Sequence, residues 1–175
     1  MSSDTVRTDV LGHESSVQYS TTWAGYALVG MRVAIGWVFF DAGVNRLTDP
    51  TWSAGDVLLA TRPENPLSGL WLGLGHAAPG LVGAILAWGL ALVGIALLFG
   101  AAVRLSALLG GGLMVLLWAV SLPIDNALFV DEHVVYLLVL FALGAFGAGR
   151  IAGLDAYFEG SEWVRERPWL RSLLG

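Results

Sequence analysis

Four apolar stretches, near residues 24–46, 79–99, 104–123 and 133–150, each approach the length that crosses a bilayer, and the first carries Arg32 and Asp41 inside it. About 20 consecutive apolar residues cover the roughly 30 Å hydrocarbon core. Lipid offers the backbone no hydrogen-bond partners, so runs of this length are expected to be helices, which satisfy their own N–H and C=O groups. The expected fold is an all-α integral membrane protein, an antiparallel four-transmembrane-helix bundle with an outer loop over about 47–78 and an amphipathic C-terminal tail. The division along the chain is a polar N-terminal tail at 1–22, the membrane domain at 23–151 and an interfacial tail at 152–175.

Of the 175 residues, 56% are hydrophobic and 13% charged, which leaves material for one membrane domain and little else. The first 22 residues contain Asp4, Arg7, Asp9 and Glu14 and no apolar core, so they do not read as a cleavable secretory signal. An even number of spans puts both ends on one side, where six arginines lie against Arg46 and Arg62 on the other. The excess of positive charge places both termini in the cytoplasm. With a net charge of -5, the chain shows no basic footprint for a nucleic-acid partner.

An ionisable group inside a span is expensive and marks a site by default. At 100° per residue, Asp41 and Asn45 share one face of the first helix, while Arg32 and Arg46 lie on another. Arg32 and Asp41 are separated by about 13 Å along the axis at 1.5 Å per residue, so they form no intrahelical ion pair. The available partners are Asp125, Asn126, Asp131, Glu132 and His133, at the outer ends of the third and fourth spans. One reading of that outer cluster is structural: interhelical hydrogen bonds, with Asp131 and Glu132 capping a helix N-terminus.

The other reading is a quinone site. Reducing a quinone takes two electrons and two protons, and an imidazole such as His133 exchanges protons near neutral pH. Asp41 and His133 are then the candidate catalytic residues, and Arg32, Asn45, Arg46 and Trp37 the candidate quinone-binding residues. Trp37 serves either packing or ring stacking on a flat ligand.

The chain has no cysteine, and its histidines at 13, 76 and 133 do not pair across helices. No haem, iron–sulfur cluster, flavin or resident metal is therefore expected, and quinone is the only cofactor called for. Electrons would come through a second protein subunit. The expected partners are the lipid membrane and that subunit, or further copies of the chain. The main alternatives are a non-catalytic scaffold of a larger membrane complex and a small transporter.

Several motifs occur in an ordered series: Arg32, then Gly36-Trp37-Val38-Phe39-Phe40, then Gly43 and a basic residue before Pro50. Gly94 to Gly100 follows, with Arg104-Leu105-Ser106-Ala107, and then Gly147-Ala148-Gly149-Arg150 with Leu154-Asp155. Over about residues 28–156 the chain resembles the DoxX family of small four-helix membrane proteins, and within it the DoxD-like branch associated with thiosulfate:quinone oxidoreductase. The resemblance implies thiosulfate oxidation coupled to quinone reduction, usually with a second subunit. Members often carry a carboxylate early in the second helix, and the neighbourhood of Trp88, Gly89 and Leu90 has none. No catalytic residue is carried over from the family.

Overall fold

The computed structural model describes residues 3–10, 13–124, 129–166 and 168–175. Among the described residues three helices are long and apolar enough to cross a membrane: α1 (Thr21–Thr48), α4 (Pro79–Phe99) and α5 (Val103–Ser121). Their ends fall within three residues of the expected spans. Local chemistry sets several boundaries. Pro79 occupies the first turn of α4, where a missing N–H costs nothing, and Gly100 ends that helix in the left-handed conformation at φ 65°.

The fourth expected span is shorter than 133–150. Helix α6 (Glu132–Ala145) has 14 residues, about 21 Å at the helical rise, and a 3-10 turn at Ala148–Arg150 follows. Gly147 breaks the helix at φ 62°, a conformation that costs a glycine nothing.

Neighbouring helices run antiparallel and meet through small residues. Gly36 packs on Leu97 and Leu98, Gly94 on the backbone at Phe40, and Gly43 on the backbone at Ala87 and Ala91. A side chain at any of these positions would hold α1 and α4 apart. Gly89 meets Leu113 between α4 and α5, while Gly111 meets Leu137 and Gly144 meets Ala107 between α5 and α6. Phe39, Leu90, Leu97, Val103, Leu140 and Leu143 fill the core between all four.

The outer loop folds into α2 (Ala54–Leu59) and α3 (Ser68–Ala77), which pack on each other and on the start of α4. Asn65 holds this cap in place. Its buried Nδ2 donates to the carbonyls of Ala119 (2.8 Å), Val120 (3.1 Å) and Leu122 (3.0 Å), and its Oδ1 accepts from Leu67 N. Those are carbonyls that the end of α5 leaves without helical partners.

At the N-terminus, β1 (Ser3–Val10) and β2 (His13–Ser20) pair antiparallel, with Val6 opposite Val17. The polar tail expected there is thus a two-stranded ribbon leading into α1. The C-terminal segment does not lie apart as a tail. Helices α7 (Leu154–Glu159) and α8 (Glu162–Arg165) and a 3-10 turn at Pro168–Ser172 fold back on the α4–α5 end, where Leu105 N donates to Leu173 O at 3.2 Å.

Candidate functional site

A hollow of about 250 Å³ opens beneath the α2–α3 cap, against α4 and α5. Leu58, Trp71, Leu86, Leu113 and Leu117 are among the apolar side chains that form its wall, and among the described residues Arg46 is the one charged residue lining it. Arg46 sits in the last turn of α1. Its Nη1 donates to Ala42 O at 2.8 Å, one turn back on the same helix, and its guanidinium carbon lies 5.5 Å from the centroid of the Trp52 ring. The stacking is a favourable cation–π contact.

Neither contact neutralises the charge. Among the described residues Arg46 has no carboxylate partner, and its Nε is buried without an acceptor. Trp71, 5% exposed in the same wall, also buries its Nε1 without an acceptor. A buried donor left unpaired costs about 1–3 kcal/mol, so two in one wall mark a place that is incomplete as it stands.

His133 belongs to a different hollow, of about 190 Å³, bounded by Met114, Val115, Trp118, Val134 and Leu137. Its Nδ1 lies 2.7 Å from Asp131 Oδ2, while Asp131 Oδ1 accepts the Val134 N–H at 3.2 Å. Asp131 is therefore the N-cap of α6, the structural role anticipated for it. Burial raises its carboxyl pKa, but the hydrogen bonds from His133 and Val134 outweigh this and hold it below the ordinary aspartate value.

The outer polar cluster expected from the sequence does not assemble among the described residues. Asp41 and Asn45 bond to each other, with Asn45 Nδ2 donating to Asp41 Oδ2 at 3.0 Å, and both face outward from α1. Trp37 is 59% exposed on that same side, its ring 5.9 Å from Phe40, and lines neither hollow. Asp125 and Asn126 lie outside the described residues.

Arg32 is at the opposite end of the bundle. It is 2% exposed, and its guanidinium donates to the carbonyls of Ala148 (2.6 Å), Ile151 (3.0 Å) and Ala152 (3.0 Å). Both terminal nitrogens are so engaged, while its Nε is buried without an acceptor, and the three bonds hold the turn after α6. Beside it Asp155, fully buried, accepts the N–H groups of Ala102 (2.6 Å), Val103 (3.0 Å) and Gly175 (2.8 Å). The glycines at 100, 149 and 153 pack so closely on these two side chains that a Cβ would meet them.

Of the residues proposed from sequence, Arg46 alone lines the larger hollow. Trp71 and Asn65 were missed. The signal for both was the proline-bounded outer loop, whose apolar run is too short to span and so needs another place to bury its face. Comparison with family models, with characterised proteins and with solved structures finds no match to this chain.

Proposed function

We propose that this chain is a multi-pass membrane protein in which α6 completes a four-crossing bundle with both termini cytoplasmic, and that it serves as the membrane subunit of a quinone-linked oxidoreductase. The quinone ring occupies the hollow beside Arg46. The observation that carries this reading is a cation with no counter-ion among the described residues, in the wall of an otherwise apolar hollow and on a helix long and apolar enough to cross a membrane.

The dimensions and chemistry agree with such a ligand. An apolar cavity of about 150 Å³ accepts benzene, so about 250 Å³ admits a substituted single ring. A quinone is flat and apolar except for carbonyl oxygens that accept hydrogen bonds, and a guanidinium is a strong donor to them. Reduction builds negative charge on those oxygens, which Arg46 stabilises in a low-dielectric wall. Val57, Ile85 and Leu116 line the hollow and are exposed, so its mouth faces the lipid from which a quinone would arrive.

In this reading Asp41 and His133 stand outside the ring-binding hollow, and Arg32 is structural. Thiosulfate as the electron donor follows from the family resemblance alone, and a second subunit supplies the electron carrier. A non-catalytic accessory role is the competing account, favoured by the polar face that α1 leaves uncovered.

The test is equilibrium binding of a short-chain quinone to the purified protein in lipid nanodiscs, read by quenching of tryptophan emission. Saturable quenching is expected, weakened by about 10- to 100-fold in Arg46→Leu, the loss of one charge-assisted hydrogen bond, and partly restored in Arg46→Lys. Thiosulfate-dependent quinone reduction in membranes with and without the chain then reads turnover. Equal binding by wild type and Arg46→Leu, with both folded, would sink the assignment.

A further inference from the structure

We infer that two copies of this chain associate in the membrane through the exposed face of α1, with Asp41 and Asn45 of each copy hydrogen-bonded across the contact. Gly30, Ala34, Trp37, Asp41, Asn45 and Thr48 are all exposed and follow one another at spacings of three or four residues, so they form one stripe along the helix. Among the described residues nothing covers it: a Cβ added at Gly30 would meet no atom within 4 Å.

The stripe's polar pair is too deep to be left to lipid. Gly43 packs against Ala87 and Ala91, and Gly36 against Leu97 and Leu98, so Asp41 lies alongside the stretch of α4 near Ala91. Ala91 is about 18 Å from one end of that helix and about 12 Å from the other at the helical rise, close to the middle of a segment that matches the bilayer core. A carboxylate facing hydrocarbon at that depth costs about 2.5–3.5 kcal/mol even on insertion scales, and among the described residues its one bonded partner is Asn45.

The chemistry of the pair selects the occupant. Asn45 gives one amide hydrogen to its own Asp41 and has a second to give, while a carboxylate accepts several. Copies inserted the same way are related by a two-fold axis along the bilayer normal, so Asn45 of each copy lies one turn from Asp41 of the other, the same axial offset that its amide already spans within its own chain. A self-complementary patch is what an isologous contact requires, and no foreign cation is needed. Gly30 and Ala34, spaced as small-xxx-small, let the two backbones approach. This proposal rests on α1 crossing the bilayer and does not depend on the quinone reading.

The chain has no cysteine, so single-cysteine variants report the contact without background. Ala34→Cys lies on the stripe, and Leu108→Cys, at a position 72% exposed on α5, serves as the control. In lipid vesicles under mild oxidation, Ala34→Cys is expected to form a covalent dimer about tenfold faster than Leu108→Cys. Asn45→Leu or Ala34→Phe, each checked for an unchanged thermal transition, should shift the untagged protein in nanodiscs from dimer toward monomer. Cross-linking no faster than the control, or a wild-type protein that is monomeric by mass, would overturn the proposal, as would a dimer indifferent to both substitutions.

Discussion

The Asp155 carboxylate accepts the backbone N–H of Val103 at 3.0 Å, so the cap of α5 comes from a residue 52 positions further along the chain. The same carboxylate takes the N–H of Ala102, the residue preceding the helix, whose own backbone is left-handed at φ 47° and offers no side-chain cap. Three donors converge on one buried anion, with the Arg32 cation on the far side of Gly153 and Gly100. The buried arginine and the buried aspartate thus close the same end of the bundle, one on carbonyls and one on N–H groups.

Asp155→Ala leaves those donors buried without an acceptor and removes the counter-charge of Arg32. Breaking one partner of such a buried arrangement costs about 3–5 kcal/mol. The expected outcome is a large drop in the thermal transition in detergent, measured by circular dichroism. Asp155→Asn, which keeps an acceptor, should lose less.

Glycines at the α1–α4 contact should tolerate no side chain. A Cβ at Gly43 would run into the backbone of Ala91, and one at Gly94 into that of Phe40, where neither neighbour has a flexible end to move. Gly43→Val and Gly94→Val are each expected to destabilise by about 1–3 kcal/mol. Gly69→Ala and Gly73→Ala, in open space on α3, should stay within about 0.5 kcal/mol of wild type in the same melts.

Asn65→Ala should loosen the cap over the larger hollow. It removes the donor that serves Ala119, Val120 and Leu122 and the acceptor for Leu67 N. Unpaired buried groups cost about 1–3 kcal/mol, and the loss should be local. Hydrogen exchange is expected to rise in α2, α3 and the last turn of α5, with the first half of α1 and the second half of α4 unchanged.

Acid should weaken the start of α6. Asp131 has its folded pKa held below the ordinary value, so its contribution is complete above the unfolded pKa and is lost as pH falls through the folded one. Thermal stability followed downward from pH 5 is expected to fall in that range, and the Asp131→Asn variant should show a shallower fall. Equal slopes would mean that other carboxylates dominate the acid limb.

Much of the site chemistry was legible only where it is local. The Asn45–Asp41 bond and the Asp131 cap join residues four or fewer apart, and helical periodicity or capping preference is enough to anticipate both. Arg32 was different. It lies well inside an apolar run, yet α1 has 28 residues, more than the bilayer needs, so nothing in the run says which part of it is buried deepest. Its partners are carbonyls 116 to 120 residues away, which no local pattern reveals.

The sequence by itself determined where the long apolar helices begin and end, because hydropathy, Pro79 and the glycines act over a few residues, and it marked α1 as the helix that carries the charges. Only the tertiary structure decided what those charges do. The antiparallel register of α1 on α4 put Arg32 beside Gly100, left Asp41 and Asn45 on an uncovered face and set Arg46 into an apolar wall. It is a physical division: helix formation is settled by neighbours along the chain, whereas the partner of a buried charge depends on which distant backbone the packing brings within hydrogen-bond reach.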